Sequence, residues 1–150
     1  MNPAPLSSTQ QEKLKKLIEE ERIREVPIDL DKAERFIEQA NLALVELPVI
    51  STHHLRYDGG YNTAHDIGEA LLAAYGYRTS NRVGQHICIG EVLIIFFEGT
   101  PAKNAAEDFE DLRKARNQSR YVATPLGKAQ ADSAVNCANT LLLQAKTLLY

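Results

Sequence analysis

Four side chains in the stretch RKARNQSRY, Arg113 to Tyr121, carry groups that bind phosphate. Arg116 and Arg120 each offer a forked set of N–H donors, Asn117 adds an amide and Tyr121 adds a phenol. Guanidinium forks match the oxygens of a phosphate group, and so this set predicts a site for a polyanion such as RNA. The alternative is a helix C-terminus enriched in basic residues because the helix dipole favours cations there.

Arg116 occupies a position where the apolar face of its predicted helix leads one to expect a leucine. That face runs through Ala105, Phe109 and Leu112, and the next step of four residues reaches Arg116. No Asp or Glu stands three or four positions from Arg116 on either side. Burying an unpaired guanidinium costs several kcal/mol. The sequence therefore predicts one of three compensations: an acid from another helix, a bound anion, or solvent at the helix end.

Glu91 is the acid that the sequence offers as an internal partner. It is the sole charge between Ile87 and Phe97, in a segment that otherwise reads as buried. We expect Glu91 to approach Arg116 or an interface, and a plain interhelical salt bridge is the alternative. Arg113 belongs to the predicted phosphate-binding set with Arg116 and Arg120, although it has Glu110 within reach on its own helix.

The length, composition and net charge of the chain predict one globular domain with a local cationic patch. The chain has 150 residues and a net charge of -3, yet the window from Leu112 to Ala131 holds five basic residues and no acid. A general nucleic-acid coat is excluded, and a polyanion would have to bind this patch. Cys88 and Cys137 offer neither a disulfide framework nor zinc spacing, which predicts reduced thiols and a cytoplasmic location. No apolar run approaches the ~20 residues of a membrane helix, so no membrane partner is expected.

Helix-type spacing of apolar residues recurs along the chain and predicts an all-α bundle of five to six helices, mostly antiparallel. No second strand-like run exists to pair with the apolar segment around Ile89, so no sheet is predicted. We expect a single domain over 1–150, with residues 1–28 as an extra N-terminal helix and residues 29–150 as the bundle core. The six helices are predicted to begin at a Thr9–Glu12 capping box, at Asp29, at Tyr57 or Tyr61, near Ile87, at Thr100-Pro101 and at Thr124-Pro125.

Two segments give the chain a resemblance to the HEPN superfamily of small helical bundles. The first is YNTAHDIGEALLAAYGYRTSNRVGQHICIGEVL, Tyr61 to Leu93, which is similar to the long helix, polar turn and buried helix of that family. The second is LRKARNQSRY, Leu112 to Tyr121, which resembles the family's motif of an Arg, a polar residue and a His four to six residues after the Arg. The resemblance covers about Asp29 to Leu149.

The resemblance implies a bundle that forms a homodimer, with the two Arg motifs facing each other across the interface. Many members are metal-independent endoribonucleases of toxin–antitoxin, defence and RNA-processing systems, and some pair with small nucleotidyltransferases. By resemblance, Arg116 is the motif arginine and Asn117 the polar residue after it. No metal and no cofactor is implied.

The chain departs from the motif at the histidine, because positions 120 to 122 read Arg, Tyr and Val. An imidazole is suited to proton transfer near neutral pH, whereas the phenol of a tyrosine, with a reference pKa of about 10, is a poor base there. The expected catalytic set, Arg116, Asn117 and Tyr121, therefore predicts RNA binding with weak ribonuclease activity. The alternative is a catalytically silent interaction protein whose basic patch binds a nucleotidyltransferase or a toxin.

The four histidines stand outside the motif. His86, at the start of the buried fourth helix, could approach the patch from another helix or subunit and is expected, with Glu91, to support the site. His53 and His54 are predicted to be solvated in a loop. His65 shares a helix face with Glu69 but lacks the further ligands that a metal needs.

Overall fold

The computed structural model describes residues 1–80 and 85–150, and the side chains of residues 85–87 lie outside that description. The described residues form a helical bundle with one small antiparallel sheet, which confirms the predicted all-α class. The helices are α1 (Ser8–Glu19), α2 (Leu30–Glu46), α3 (His53–Ala74), α4 (Gln85–Phe96), α5 (Lys103–Val122) and α6 (Lys128–Leu149), with a short 3-10 helix at Leu47–Val49 and the strands β1 (Ile23–Glu25) and β2 (Tyr77–Thr79).

Helix α3 is the central element and packs against α2, α4, α5 and α6. Its buried side chains include Tyr57, Tyr61 and Ile67, each almost inaccessible to solvent. Gly60 permits a close approach to α6, since a Cβ there would lie 2.7 Å from the backbone carbon of Ala134. Burial of this apolar surface is the main force that holds the bundle together.

Side-chain contacts fix the directions of the helices that flank α3. Near the start of both helices, Arg56 of α3 pairs with Asp132 of α6 at 2.8 Å, so α3 and α6 run in the same direction. Helix α5 runs against α3, because Tyr57 meets Leu112 while Tyr61, one turn later, meets Phe109. The end of α5 therefore lies beside the beginning of α3.

The predicted amphipathic face of α2 is buried as expected. Ala33, Ile37 and Ala40 recur at intervals of three to four residues and face the core. Asp29 caps this helix, and its Oδ1 accepts a hydrogen bond of 2.8 Å from the Lys32 N–H. Spacing and cap together position α2 against α3.

The sheet is a correction to the sequence analysis, which predicted no strand pair. β1 and β2 pair over three residues each, with Ile23 opposite Thr79 and Glu25 opposite Tyr77. Strands this short carry no readable alternation of apolar and polar residues. They are stabilised by tertiary contacts, since Ile23 is buried in the main core.

Four predicted helix starts are also corrected. α5 begins at Lys103 with Ala102 as its N-cap, instead of at Thr100-Pro101. α3 begins four residues before Tyr57 and runs through Gly59 and Gly60 without a turn. α6 begins at Lys128 with Gly127 as its N-cap, three residues after Pro125. The capping box of α1 is formed by Ser7 and Gln10 instead of Thr9 and Glu12. In each case more than one nearby residue could serve as a cap, and the packing selects among them.

The N-terminal segment is attached to the end of the bundle where α3 and α4 finish. Tyr75 at the end of α3 donates a hydrogen bond of 2.8 Å to the carbonyl of Ala4. Gln10 of α1 donates through Nε2 to the carbonyls of Ile95 and Phe96, both at 3.1 Å. A mostly apolar cavity of about 630 Å³ lies beside this attachment.

Candidate functional site

The end of α5 and the start of α3 bring five polar side chains together. Arg116, Ser119 and Arg120 lie three and four residues apart and so share one face of α5. His54 and Asp58, four residues apart, share one face of α3. We call these five residues the α3–α5 cluster.

Asp58 is the centre of the cluster. Its Oδ2 accepts a hydrogen bond of 2.9 Å from Arg120, and its Oδ1 lies 3.2 Å from Nε of Arg116. The second contact is an ion pair without hydrogen-bond alignment, because neither Oδ1 nor Nε has a hydrogen-bond partner by geometry. The Asp58 side chain is only 13% exposed. One carboxylate therefore holds two guanidinium groups from the opposite helix.

Arg116 is held inward, as the apolar spacing of α5 predicted. Its side chain is 18% exposed, and its guanidinium carbon lies 4.9 Å from the centre of the Tyr61 ring. That ring in turn stacks on Phe109 at 5.1 Å. A cation above an aromatic face is attracted by the negative charge of the ring face. Arg116 is thus fixed from one side by Asp58 and from the other by Tyr61.

Arg120 forms the outer edge of the same group of charges. Its side chain is 49% exposed, in contrast with that of Arg116. It can exchange its hydrogen bond to Asp58 for one to an external anion without leaving a buried charge unpaired. Arg116 and Arg120 therefore present one fixed and one exchangeable guanidinium on the same helix face.

His54 completes the cluster from the first turn of α3. Its Nε2 lies 3.5 Å from Oδ2 of Asp58, and its Nδ1 lies 3.4 Å from Oγ of Ser119. The side chain is 46% exposed. The sequence analysis placed His54 in a loop, and the structure places it on a helix and beside the two arginines. An imidazole between a carboxylate and a hydroxyl can accept, hold or return a proton.

The tyrosines beneath the cluster stay neutral. Burial raises the pKa of Tyr57 to about 12, and its hydroxyl donates to the Leu112 carbonyl at 2.8 Å. Burial also raises the pKa of Tyr61, against the opposing effect of Arg116 and Arg113. Neither phenol is suited to act as a base near neutral pH. Of Tyr57, Tyr61 and His54, only His54 carries a side chain of the type that transfers protons near neutral pH.

Arg113 pairs with an acid on its own helix, the contact that its spacing allows. Its Nε and one terminal nitrogen donate to the two carboxylate oxygens of Glu110 at 2.8 and 2.7 Å. This bidentate hydrogen bond lowers the pKa of Glu110 and raises that of Arg113. Because its fork is occupied, Arg113 has less capacity for phosphate than the other two arginines.

Asn117 and Tyr121 lie on α5 outside the α3–α5 cluster. Asn117 is half-buried, and the Tyr121 side chain is 86% exposed in the last turn of the helix. Neither side chain forms a described contact with His54 or Asp58. Their predicted catalytic role remains a prediction.

The expected approach of Glu91 to Arg116 is wrong. Glu91 accepts a hydrogen bond of 2.7 Å from Arg22, which precedes β1. The face of α4 that carries Glu91 is covered by the chain between α1 and β1, whereas Arg116 is paired by α3. The prediction for His86 concerns a side chain outside the described residues.

Sequence reasoning missed both α3 members of the cluster. Asp58 lies between Tyr57 and Tyr61, the two alternative starts of the predicted helix, and His54 was assigned to a loop. The available signal was their spacing of four residues, which places an imidazole and a carboxylate on one helix face. The same turn of α3 also carries the buried Arg56, which faces α6.

Within the described residues, no group of three or more His, Cys, Asp and Glu side chains has the arrangement to hold a metal ion. Among the same residues, no helix combines the length and apolar character needed to cross a bilayer.

Comparison with known proteins identifies the family. Searches of curated proteins and of solved structures each returned no significant match. The family model described as the HEPN domain matches residues 26–148, a range that contains α2 to α5, β2, nearly all of α6 and the Arg116 motif. Because this match spans most of the sequence, the chain belongs to the HEPN family.

Proposed function

We propose that this protein binds RNA through the phosphates of its backbone, at the face formed by the start of α3 and the end of α5. The observation that carries the proposal is the convergence of Arg116 and Arg120 on the single carboxylate of Asp58. Two guanidiniums against one carboxylate leave a positive charge that the cluster itself does not neutralise. This charge lies in the basic part of an otherwise acidic chain, and so it attracts a polyanion to one place.

The contrast between the two arginines supports an anion site over a purely structural ion pair. Arg116 is fixed by Asp58 and by the Tyr61 ring, which sets the position of its fork. Arg120 is half-exposed and can transfer its donors to phosphate oxygens. Because the donors of Arg116 are already held in place, less conformational entropy is lost when an anion binds.

The wider role follows from family membership and is part of the proposal. HEPN membership supports RNA binding or slow, metal-independent RNA cleavage within a toxin–antitoxin or defence module, as a homodimer in the cytoplasm. A nucleotidyltransferase or toxin partner belongs to the same expectation.

The test is RNA binding measured by fluorescence anisotropy with a labelled single-stranded RNA of mixed sequence. Arg116→Ala and Arg120→Ala should each weaken binding about tenfold and make its salt dependence less steep by about one phosphate contact. Lys15→Ala is the control, because Lys15 lies on α1 and pairs at 3.9 Å with Glu19 in an exposed position. Arg113→Ala should have a smaller effect than either cluster variant, since Glu110 occupies its fork.

A second candidate function is a silent interaction protein, which the exposed end of α5 favours. Tyr121 and Val122 follow Arg120 directly and present exposed apolar surface beside the positive charge. Such a combination is typical of a surface that contacts another protein. The same assay separates the two: RNA affinity that is unchanged in Arg116→Ala and Arg120→Ala contradicts RNA binding at this face and leaves the interaction role.

A further inference from the structure

We propose that His54, in the first turn of α3, performs the proton transfers of RNA cleavage in place of the histidine that α5 lacks. The inference rests on the proposed binding of RNA at the α3–α5 cluster. It assigns a chemical role to a residue outside the arginine motif, on a different helix. It also converts the weak enzyme expected from a tyrosine into one with a competent acid and base.

The surroundings of the His54 ring match those of a catalytic imidazole. Asp58 lies 3.5 Å from Nε2, and Ser119 Oγ lies 3.4 Å from Nδ1. The tautomer with its proton on Nε2 donates toward the carboxylate and leaves Nδ1 as an acceptor that faces a hydroxyl. Both distances exceed those of a short hydrogen bond, as is common before substrate binds.

Access and charge support the same assignment. The His54 side chain is 46% exposed, so that a bound RNA strand can reach it. The charged groups gathered around it are Asp58 from its own helix and Arg116 and Arg120 from α5. The carboxylate stabilises an imidazolium, and the arginines bind the phosphate that this imidazolium would serve.

Other described groups near the cluster are less suited to the role. Burial keeps Tyr57 and Tyr61 neutral, and Tyr57 already donates to a backbone carbonyl. The neighbouring His53 acts electrostatically on Asp132 of α6, on the other side of α3. Adjacent residues of one helix point about 100° apart, which separates the two histidines.

The reaction needs no co-reactant. The 2′-hydroxyl of one nucleotide gives its proton to Nδ1 of His54 while its oxygen forms a bond to the adjacent phosphorus. The bond from phosphorus to the 5′-oxygen of the next nucleotide breaks, and the imidazolium returns the proton to that oxygen. The products are a 2′,3′-cyclic phosphate and a 5′-hydroxyl. Arg116 and Arg120 stabilise the charge that grows on the non-bridging phosphate oxygens.

Ser119 marks the position that the substrate hydroxyl would take. Its Oγ faces Nδ1 of His54, and a change of side-chain rotamer would vacate that position. Ser119 is therefore not required for the chemistry. This distinguishes the proposal from one in which Ser119 itself attacks phosphorus.

The experiment measures RNA cleavage and RNA binding in parallel on the full-length protein in buffer with EDTA. His54→Gln should lower the cleavage rate by about 10²- to 10⁴-fold, the usual cost of losing a general acid or base. Its RNA affinity should change less than threefold, because the amide fills the same space and the arginines remain. His53→Gln is the matched control and should cleave within about threefold of the wild type.

Three further measurements test the identity of the nucleophile and the role of the imidazole. Mass spectrometry of the wild type after incubation with RNA should show no covalent phosphate adduct on Ser119, and such an adduct would overturn the proposal in favour of a serine nucleophile. An RNA with a single 2′-deoxy nucleotide at the cleaved position should bind normally and resist cleavage. The wild-type rate should depend on pH through the neutral range, and this dependence should flatten in His54→Gln.

The failures of the two proposals are distinguishable. Wild-type protein that binds RNA in an Arg116-dependent manner without cleaving it overturns the role of His54 and leaves the binding function. Cleavage by His54→Gln at the wild-type rate and with an unchanged pH profile also overturns the role of His54 and leaves the binding function. Protein that does not bind RNA removes both. Circular dichroism of each variant separates a chemical loss from a loss of fold.

Discussion

Asp58 sets the properties of the candidate site at the scale of single residues. It neutralises part of the charge of Arg116 and Arg120, and it orients the ring of His54 through the same oxygen that receives Arg120. A phosphate that binds Arg120 would therefore release one oxygen of Asp58 toward His54. In the proposed site, Asp58 would couple anion binding to the orientation of the imidazole.

Asp66, one turn beyond Tyr61 on α3, is a second carboxylate with unusual behaviour. Burial, and after it the nearby Glu69, raises the pKa of Asp66 to about 6 from an ordinary 3.8. The folded state thus holds this proton more tightly than the unfolded state does. The contribution of Asp66 to stability is greatest below pH 3.8 and is lost as the pH rises through about 6.

Replacement of this carboxylate should stabilise the protein in a pH-dependent manner. We expect Asp66→Asn to raise the free energy of unfolding at pH 7.5 by about 1 to 2 kcal/mol, since each pKa unit corresponds to about 1.4 kcal/mol and solvent that reaches the half-buried carboxyl screens part of the effect. At pH 4 the gain should nearly vanish, because the wild-type carboxyl is protonated in the folded state. Urea denaturation at the two pH values measures the difference.

The exposed Asp111 on α5 provides the control for this experiment. Asp111→Asn should change stability by about 0.5 kcal/mol or less at either pH, as surface substitutions usually do. A stabilisation of Asp66→Asn that is equal at pH 4 and pH 7.5 would contradict the electrostatic origin.

The limits of sequence reasoning are clearest at the residue scale. The absence of a local acid near Arg116 left three alternatives, and the structure pairs Arg116 with an acid from another helix. Which acid meets it depends on how two helices pack, and that information is not present in local spacing. Glu91 was chosen because it is alone in an apolar segment, yet its helix turns that face toward Arg22.

Among the elements, the contact between α3 and α6 depends on the absence of a side chain. A Cβ on Gly60 would lie 2.7 to 3.0 Å from backbone atoms of Ala134 and Val135, which cannot move like a flexible side chain. The pair Gly59-Gly60 resembles a turn in the sequence, and in the structure it permits two helices to approach closely. Glycine carries both meanings, and only the tertiary packing distinguishes them.

Gly60→Ala should therefore destabilise the bundle, although alanine is the better helix former. We expect a loss of about 1 to 3 kcal/mol in the free energy of unfolding, the usual cost of overpacking. Gly90→Ala on α4 is the matched control, because its Cβ would meet only the Phe109 ring, at an ordinary contact distance of 3.4 Å. Thermal and urea unfolding of the two variants should move in opposite directions or differ by at least 1 kcal/mol.

Equal stability of the two glycine variants would show that the α3–α6 contact is looser than its geometry indicates. The Gly60 variant should also lower RNA binding indirectly if α3 moves, since His54 and Asp58 are carried on the same helix.

Helices were predictable from sequence where a face repeats over three or more turns. The apolar stripes of α2 and α6 are buried as their spacing indicated. The strands β1 and β2 were not predictable, because three residues contain too little alternation to recognise and their pairing joins segments more than 50 positions apart. The end of α5 was located correctly as a basic helix terminus, but its neighbour α3 was not.

At the scale of the whole molecule, polar contacts join residues 1–25, which precede the matched HEPN region, to the bundle. Gln10 is one of the polar links, since its Nε2 donates to the last carbonyls of α4 while its Oε1 accepts from the Ser7 N–H at 2.9 Å. One side chain thus caps α1 and satisfies the end of α4. Loss of the Gln10 side chain removes a donor from the Phe96 carbonyl and leaves the Ile95 carbonyl with the 3.4 Å hydrogen bond from the Glu98 N–H.

Gln10→Ala should lower the free energy of unfolding by about 1 to 3 kcal/mol, from two lost hydrogen bonds at the α4 terminus and one at the cap. Glu12→Ala is the control, because Glu12 is exposed on the same helix and should change stability by about 0.5 kcal/mol or less. Urea denaturation followed by circular dichroism compares the two. An identical effect of both variants would indicate that the hydrogen bonds of Gln10 do not contribute to the attachment of α1.

The length of α3 separates two regions of the surface. The α3–α5 cluster lies at its beginning, whereas the contact of Tyr75 with Ala4 lies at its end, about 30 Å away at the usual rise per residue. A dye or an immobilisation tag on α1 would therefore lie far from Arg116 and Arg120 and would not block them. The same label would report whether α1 is docked on the bundle. Single-molecule measurements of RNA capture could thus be made with the protein tethered by one pole and titrated at the other.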